Sequence, residues 1–225
     1  EEARSEFVKK YGKDSTIAAS LNVTETADIT QTFRDACLAF GGVDILVNNA
    51  GLSISKTLED TQEGDWDLQH NVMVKGQFLM TQSAVNIMRK QRLGGDIVNI
   101  VSKNALVSGP NNAAYGTAKA AQLHLSRLLA AELGKDKIRV NVVNPDAVIQ
   151  GSNIWAGGWA KGRAEAYGVS EEDLPNHYAK RTLLNETILP EDIANGVFAL
   201  VGGLMNKSTG NVLNVDGGLA PAFVR

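Results

Sequence analysis

The sequence predicts an α/β fold: one doubly wound parallel sheet held between two layers of helices. Strand-like runs alternate with helix-period segments along the chain, the order that builds a parallel sheet covered on both faces. Residues 43–47 and 96–102 are apolar along most of their length, as strands buried on both sides are. The chain has 225 residues with 44% hydrophobic composition, enough for one substantial core and too little to demand two domains.

Taken in order, residues 1–12 read as a charged helix ending at Gly12, and residues 15–23 turn β-like. Residues 24–40 form an amphipathic helix with Ile29, Phe33, Ala36, Cys37 and Phe40 at helical spacing, closed by Gly41-Gly42. A strand over 43–47 is broken by Asn48-Asn49-Ala50-Gly51, and a long helix over 65–92 carries Trp66, Val72, Val74, Phe78, Leu79 and Met88. Gly94-Gly95 opens the strand that ends at Ser102; a helix over 115–134 and a strand over 138–143 follow.

Between Pro145 and Pro190 the regular pattern lapses into Gly151, Gly157-Gly158 and Gly162 among Trp155, Trp159, Tyr167, His177 and Tyr178. A long, glycine-punctuated, aromatic excursion over 146–189 reads as a substrate loop or lid; the alternative for each tryptophan is that it pins a surface helix to the core. Pro190 then starts a helix with Glu191 and Asp192 near its positive end, and 210–215 is the last strand.

A net charge of −3 without a basic block argues against nucleic acid or an anionic membrane as partner, and leaves small-molecule chemistry. The single Cys37 gives no disulfide framework. No apolar run reaches the roughly 18 residues of a membrane span, and Glu1-Glu2-Ala3-Arg4 lacks signal-peptide character, so a cytoplasmic protein is expected. His70, His124 and His177 are far apart in sequence and no Cys/His pair has ligand spacing, so no metal site is expected.

Tyr115 and Lys119 stand four apart on a helix and share one face. An ammonium beside a phenol lowers its pKa from about 10 toward neutrality, which makes the tyrosine a candidate general acid or base. The alternative is an exposed pair worth a few tenths of a kcal/mol. Ser102, at the C-terminal end of a buried strand, strengthens the catalytic reading, because open parallel sheets place their ligands there.

These residues belong to an ordered set: Asn48-Asn49-Ala50-Gly51 after a strand, Asn71 in the next helix, Ser102, Tyr115 with Lys119, Asn144-Pro145 after a strand, and Asp216-Gly217-Gly218 near the end. In that order they resemble the short-chain dehydrogenase/reductase family over nearly the whole chain. The resemblance implies a Rossmann-like, three-layer α/β/α fold and an NAD(P)-dependent oxidoreductase, with NAD favoured over NADP. Tyr115 would exchange the substrate proton. Lys119 would lower its pKa and hold the nicotinamide ribose, Ser102 would hydrogen-bond the reacting oxygen, and Asn71 would anchor a proton-relay water. Asn22, Val23, Asn49, Ala50, Gly51, Pro145 and Val148 would line the cofactor, together with Tyr115 and Lys119. A homodimer or homotetramer, packed through the helices over 65–92 and 115–134 and leucines such as Leu123, Leu125, Leu128 and Leu129, is implied.

The sequence also departs from the family pattern. No two glycines are separated by one residue, so the spaced-glycine turn that receives a diphosphate is absent, and the first strand, first helix and second strand are expected to be missing. Asp146 follows Pro145 where glycine is usual, Gln150 replaces an expected threonine, and Lys103-Asn104 follows Ser102 in place of small residues. Either Asp146 sets a negative charge near the cofactor or it points at a donor. Asn144-Pro145-Asp146-Ala147-Val148, Gly151-Ser152, Ile154-Trp155 and the terminal Asp216-Gly217-Gly218 together are similar to the dehydrogenase half of bifunctional proteins that carry a rhamnulose-1-phosphate aldolase upstream, which implies lactaldehyde as substrate. The competing expectation is a catalytically silent oligomerisation fragment of a larger dehydrogenase.

Overall fold

The computed structural model describes residues 2–155 and 159–223; Glu1 and the predicted loop glycines Gly157 and Gly158 lie outside them. The helix α1 (Glu2–Tyr11) is followed by α2 (Thr26–Phe40) and the strand β1 (Ile45–Asn48). The helices α3 (Glu63–His70) and α4 (Gly76–Gln91) lead into β2 (Gly95–Ile100), α5 (Ala113–Leu133) and β3 (Ile138–Pro145). The short helices α6 (Trp159–Tyr167) and α7 (Leu174–Ala179) precede α8 (Pro190–Val201) and β4 (Val212–Val215).

The four strands form one parallel sheet in the order β1-β2-β3-β4. Alternation along each strand divides the apolar residues between two layers. Leu46, Ile97 and Val140 pack on one face against Ile29 and Phe33 of α2, Val85 and Met88 of α4, and Leu133 of α5. Val98, Val143 and Leu213 pack on the other against Ile193, Val197 and Leu200 of α8. At β1 that second layer thins out, leaving Ile45 47% and Val47 41% exposed beside Leu46 at 8%.

Local chemistry explains most boundaries. Gly41 ends α2 in the left-handed region and donates its N–H to the Cys37 carbonyl. Pro190 occupies the first turn of α8, and the Asp192 carboxylate accepts the Leu189 N–H at 2.8 Å. Gly217 and Gly218, both at positive φ, turn the chain after β4 so that their carbonyls accept from Leu184 and Leu183. The Asp216-Gly217-Gly218 motif thereby ties the sheet's end to the segment after α7.

Three expectations need correction. Residues 16–22 are extended without a ladder partner, preceded by a 3₁₀ turn at Lys13–Ser15, because no described strand runs beside them to take up their backbone groups. The helix expected over 65–92 starts at Glu63 and is split by a π-helical turn at Asn71–Lys75. Leu123, expected on an intermolecular face, is 4% exposed and packs with Val101 and Val142 inside the chain. The excursion over 146–189 has its own small core of Ala164, Leu174 and Tyr178, against which Trp155 packs.

A buried polar network joins the sheet to its helices. Asn48 Nδ2 donates to Asn99 Oδ1 at 2.8 Å and to Thr81 Oγ1 of α4 at 3.1 Å, while Asn99 Nδ2 donates to Ser126 Oγ of α5 at 2.9 Å. Gln122 Nε2 reaches the Met73 carbonyl in the π turn at 2.8 Å. Asn99→Leu leaves Asn48 and Ser126 with one partner fewer each, a loss of about 1–3 kcal/mol per stranded buried group. Thermal unfolding should show a midpoint lowered by roughly 2–4 °C per kcal/mol in a domain of this size, against little change for a surface control such as Lys90→Gln.

Candidate active site

Tyr115 and Lys119 lie in the first turns of α5, 7% and 4% exposed, on the side of the helix turned toward the sheet. Ser102 caps the 3₁₀ turn Lys103–Ala105 just beyond β2, its hydroxyl accepting the Asn104 N–H at 3.2 Å. The Tyr115 hydroxyl lies near Ser102, and both residues line the same cavity. Lys119 reaches past the ring, 5.7 Å from its centroid, and donates to the Ile100 carbonyl at 3.1 Å. That carbonyl sits at the end of β2, so the lysine takes the place of a ladder partner.

Burial sets the protonation of the pair, and in a direction the sequence did not suggest. It pushes the Tyr115 phenol up to about 12; the nearby Ser102 hydroxyl opposes the rise and the Asp146 charge adds to it. Burial brings the Lys119 amine down to about 7. Removal from water disfavours the charged form of both groups, so the phenolate gains nothing here from a permanent ammonium.

The three residues line a cavity of about 900 Å³ at the carboxyl ends of β1, β2 and β3. Asn49, Gly51, Pro145 and Val148 line it as well. Ala50 does not, and neither do Asn22, Val23 and Asn71. Asn22 is exposed, and its Oδ1 is occupied by the Thr24 N–H at 3.1 Å and the Thr24 hydroxyl at 2.9 Å. Val23 packs against Gly76, where a Cβ would come within 2.8 Å of Val23 Cγ2, so α4 is fixed closely on this loop. Asn71 is exposed at the start of the π turn, with its carbonyl accepting from Gly76.

The far wall of the cavity is charged. Asp146, 3% exposed, sits 3.7 Å from Lys103 Nζ and 4.0 Å from Arg181 Nη2, so of the two orientations open to it, it faces donors. Lys103 is itself buried, and burial lowers its amine while Asp146 opposes the shift. Arg163 of α6 is 6% exposed, donating to the Pro110 carbonyl at 3.1 Å and to the Tyr167 hydroxyl. Sequence reasoning missed Arg163 and Asn112: an arginine in a short helix reads as a solvated side chain, and Asn112 as a helix-start residue. Both become site residues only once the chain folds back over α5.

The Lys119 shift has a measurable consequence. Between pH 7 and 10.5 the unfolded chain holds the lysine proton and the folded chain does not, so stability rises with pH through that window and the penalty is greatest below it. Lys119→Met removes the effect: its midpoint should stand above wild type at pH 7, and the gap should narrow by several degrees toward pH 10. Each pKa unit is worth about 1.4 kcal/mol. Parallel melting curves across that range check this; a constant gap is the contrary result.

Comparison with known proteins accords with this geometry. Residues 1–220 match the family model described as Enoyl-(Acyl carrier protein) reductase. The uncharacterized oxidoreductase YuxG of Bacillus subtilis is 44% identical over 215 residues, covering 96% of this chain and 31% of that protein, so the chain spans about a third of that relative. An uncharacterized oxidoreductase of Thermotoga maritima is 34% identical over 213 residues, 95% of this chain and 80% of that protein. Among solved structures, ElxO with NADP bound superposes with a TM-score of 0.81 at 26% identity, covering 97% of this chain and 84% of that one. The ordered signature, the parallel sheet with the Ser102–Tyr115–Lys119 cluster at its carboxyl ends, and these matches together place the chain in the short-chain dehydrogenase/reductase family.

Proposed function

We propose that the protein is an oxidoreductase that moves a hydride between a nicotinamide dinucleotide, NAD or NADP, and a small alcohol or carbonyl compound, with Tyr115 exchanging the proton. The observation that carries this reading is that buried Tyr115 and Lys119 line, together with Ser102, one cavity at the strand ends. That ElxO was solved with NADP bound supports the cofactor class. The cavity wall fits such a group: Lys119, Ser102 and Asn49 offer it polar side chains, and Gly51 beside Lys119 adds no side chain of its own. When bound, the nicotinamide accepts hydride in one direction and donates it in the other.

Ser102 hydrogen-bonds the reacting oxygen and holds the charge that develops there. Tyr115, which keeps its proton at neutral pH in this state, is set to donate it to a forming alkoxide. Taking a proton from an alcohol requires Lys119 in its ammonium form beside it. Asn49, Gly51, Pro145 and Val148 are assigned to the nicotinamide half, and Asn22, Val23 and Ala50 to the adenosine side. Asn71 anchors the relay water, its exposure giving that water a path to bulk solvent.

The segment 146–189 acts as the substrate lid of a single cofactor-binding domain, held by Trp155, Tyr178 and Arg163. In the finer reading the substrate is lactaldehyde, the chain is joined to an upstream aldolase in a longer cytoplasmic polypeptide, and copies assemble through α4 and α5. The greater length of the Bacillus relative and the exposed Phe78 and Leu128 on those helices support it.

Tyr115→Phe keeps the ring and removes the exchangeable proton. Following nicotinamide absorbance with short aldehydes and alcohols, kcat/KM should fall by about 10²–10⁴-fold with the melting midpoint retained. Undiminished turnover in a folded variant refutes the assignment.

A further inference from the structure

The far wall of the cavity holds more positive than negative charge. Lys103 and Arg163 line it, Arg181 stands behind it, and among the described residues Asp146 is the one acid in the lining. Asp146 is also the one carboxylate within ion-pair distance of Lys103 and of Arg181, and Arg163 has none among the described residues. Lys103, Arg163 and Asp146 are 8%, 6% and 3% exposed, so their charges act on one another with little screening by water. Burial lowers the Lys103 amine, Asp146 opposes the shift, and the like charges of Arg181 and Arg163 add to it. One carboxylate offsets one of three cations, and the remainder calls for a counter-charge.

Lys103 has the hydrogen-bonding capacity to meet that counter-charge. Its ammonium carries three donors, and Asp146 Oδ1 lies 3.7 Å away, beyond hydrogen-bond length. Lys103 Nζ is not among the buried side-chain atoms sealed from solvent without a partner, so a molecule in the cavity reaches it. The wall is close to the reacting centre as well. Lys103 follows Ser102 directly, with Cα atoms about 3.8 Å apart, and the Asp146 charge acts on Tyr115. The Trp159 ring lies 6.1 Å from that of Tyr115, with the Arg163 guanidinium 5.7 Å from its centre. A molecule whose oxygen meets Ser102 and Tyr115 needs few further bonds to bring an anion to Lys103.

We propose that Lys103, with the charges of Arg163 and Arg181 behind it, is an anion subsite of the catalytic cavity, and that the substrate class is a short hydroxy or oxo compound bearing a carboxylate or phosphate a few bonds from the reacting carbon. This rests on the oxidoreductase reading and reaches beyond lactaldehyde, which brings no charge to this wall. In the reducing direction the carbonyl carbon gains hydride from the reduced nicotinamide and its oxygen gains the Tyr115 proton; the anion is held at Lys103 and leaves unchanged.

The test pairs hydroxy acids of about three to five carbons with diols of the same length, and glycerol 3-phosphate with glycerol, each followed by nicotinamide absorbance with NAD or NADP. An anionic compound should exceed its neutral counterpart in kcat/KM by at least about 10-fold, the effect of one hydrogen bond to a charged group, and the two arms show whether carboxylate or phosphate is taken. Lys103→Met, which keeps the side chain's length and removes its charge, should erase most of that preference, chiefly through KM. Asp146→Asn, which removes the competing carboxylate, should raise the preference, a direction that damage to the fold does not give. Calorimetry on the cofactor-free protein is the second readout: the anionic compounds should bind more tightly than their neutral counterparts, and less tightly after Lys103→Met. Equal use and equal binding of charged and neutral partners, an anion preference that survives Lys103→Met, or one that falls in folded Asp146→Asn overturns the inference. If no compound is turned over, the oxidoreductase reading fails, and the calorimetric comparison still decides whether the wall binds anions.

Discussion

The hydrogen bond from Asn99 to Ser126 is the constraint on which the site's geometry depends. Asn99 stands in the middle of the sheet at 0% exposure and Ser126 in the middle of α5 at 1%. Apolar packing alone would let α5 slide or roll over a bed of valines, since dispersion contacts are non-directional. A buried amide that must find its partner allows one position. Gln122, one turn earlier, holds the π turn through Met73, and Asn48 draws β1 and α4 into the same arrangement. With α5 fixed at these points, Tyr115 and Lys119 come to line the same cavity as Ser102.

The same fixing places Lys119 against the Ile100 carbonyl and away from water, and that burial reverses the simple picture of a cation tuning a phenol. Burial favours the neutral form of both groups: Tyr115 keeps its proton at neutral pH, and Lys119, brought down to about 7, is there divided between amine and ammonium. The distal wall follows another rule. There Lys103, Asp146, Arg163 and Arg181 each have an opposite charge, a carbonyl or a hydroxyl within reach. The cavity thus joins an end where burial favours uncharged groups to a distal wall of paired charges.

Much of this was legible in sequence where the information is local. Tyr115 and Lys119 share a face because helices repeat every 3.6 residues. Ser102 emerges at a strand's end because an apolar run stops there, and Pro190 with Asp192 announces α8. The polar network was not legible, since Asn48, Asn99 and Ser126 are ordinary residues until the sheet brings them together. Residues 15–23 read as a strand because their pattern suits one, but a strand also requires a neighbour to bond, which no pattern contains. Asn22 looked free to meet a ligand; its amide oxygen is spent on its own turn at Thr24. Leucines on α5 looked equivalent, and only packing separates buried Leu123 from exposed Leu128.

The uncovered side of β1 is a place for a further strand. Ile45 and Val47 turn apolar side chains to solvent, and among the described residues the strand has β2 on one side and no ladder on the other. A row of unpaired backbone groups flanked by branched aliphatics is the surface on which another strand adds most readily. In the longer polypeptide proposed above, a further strand would pair with this edge and cover Ile45 and Val47.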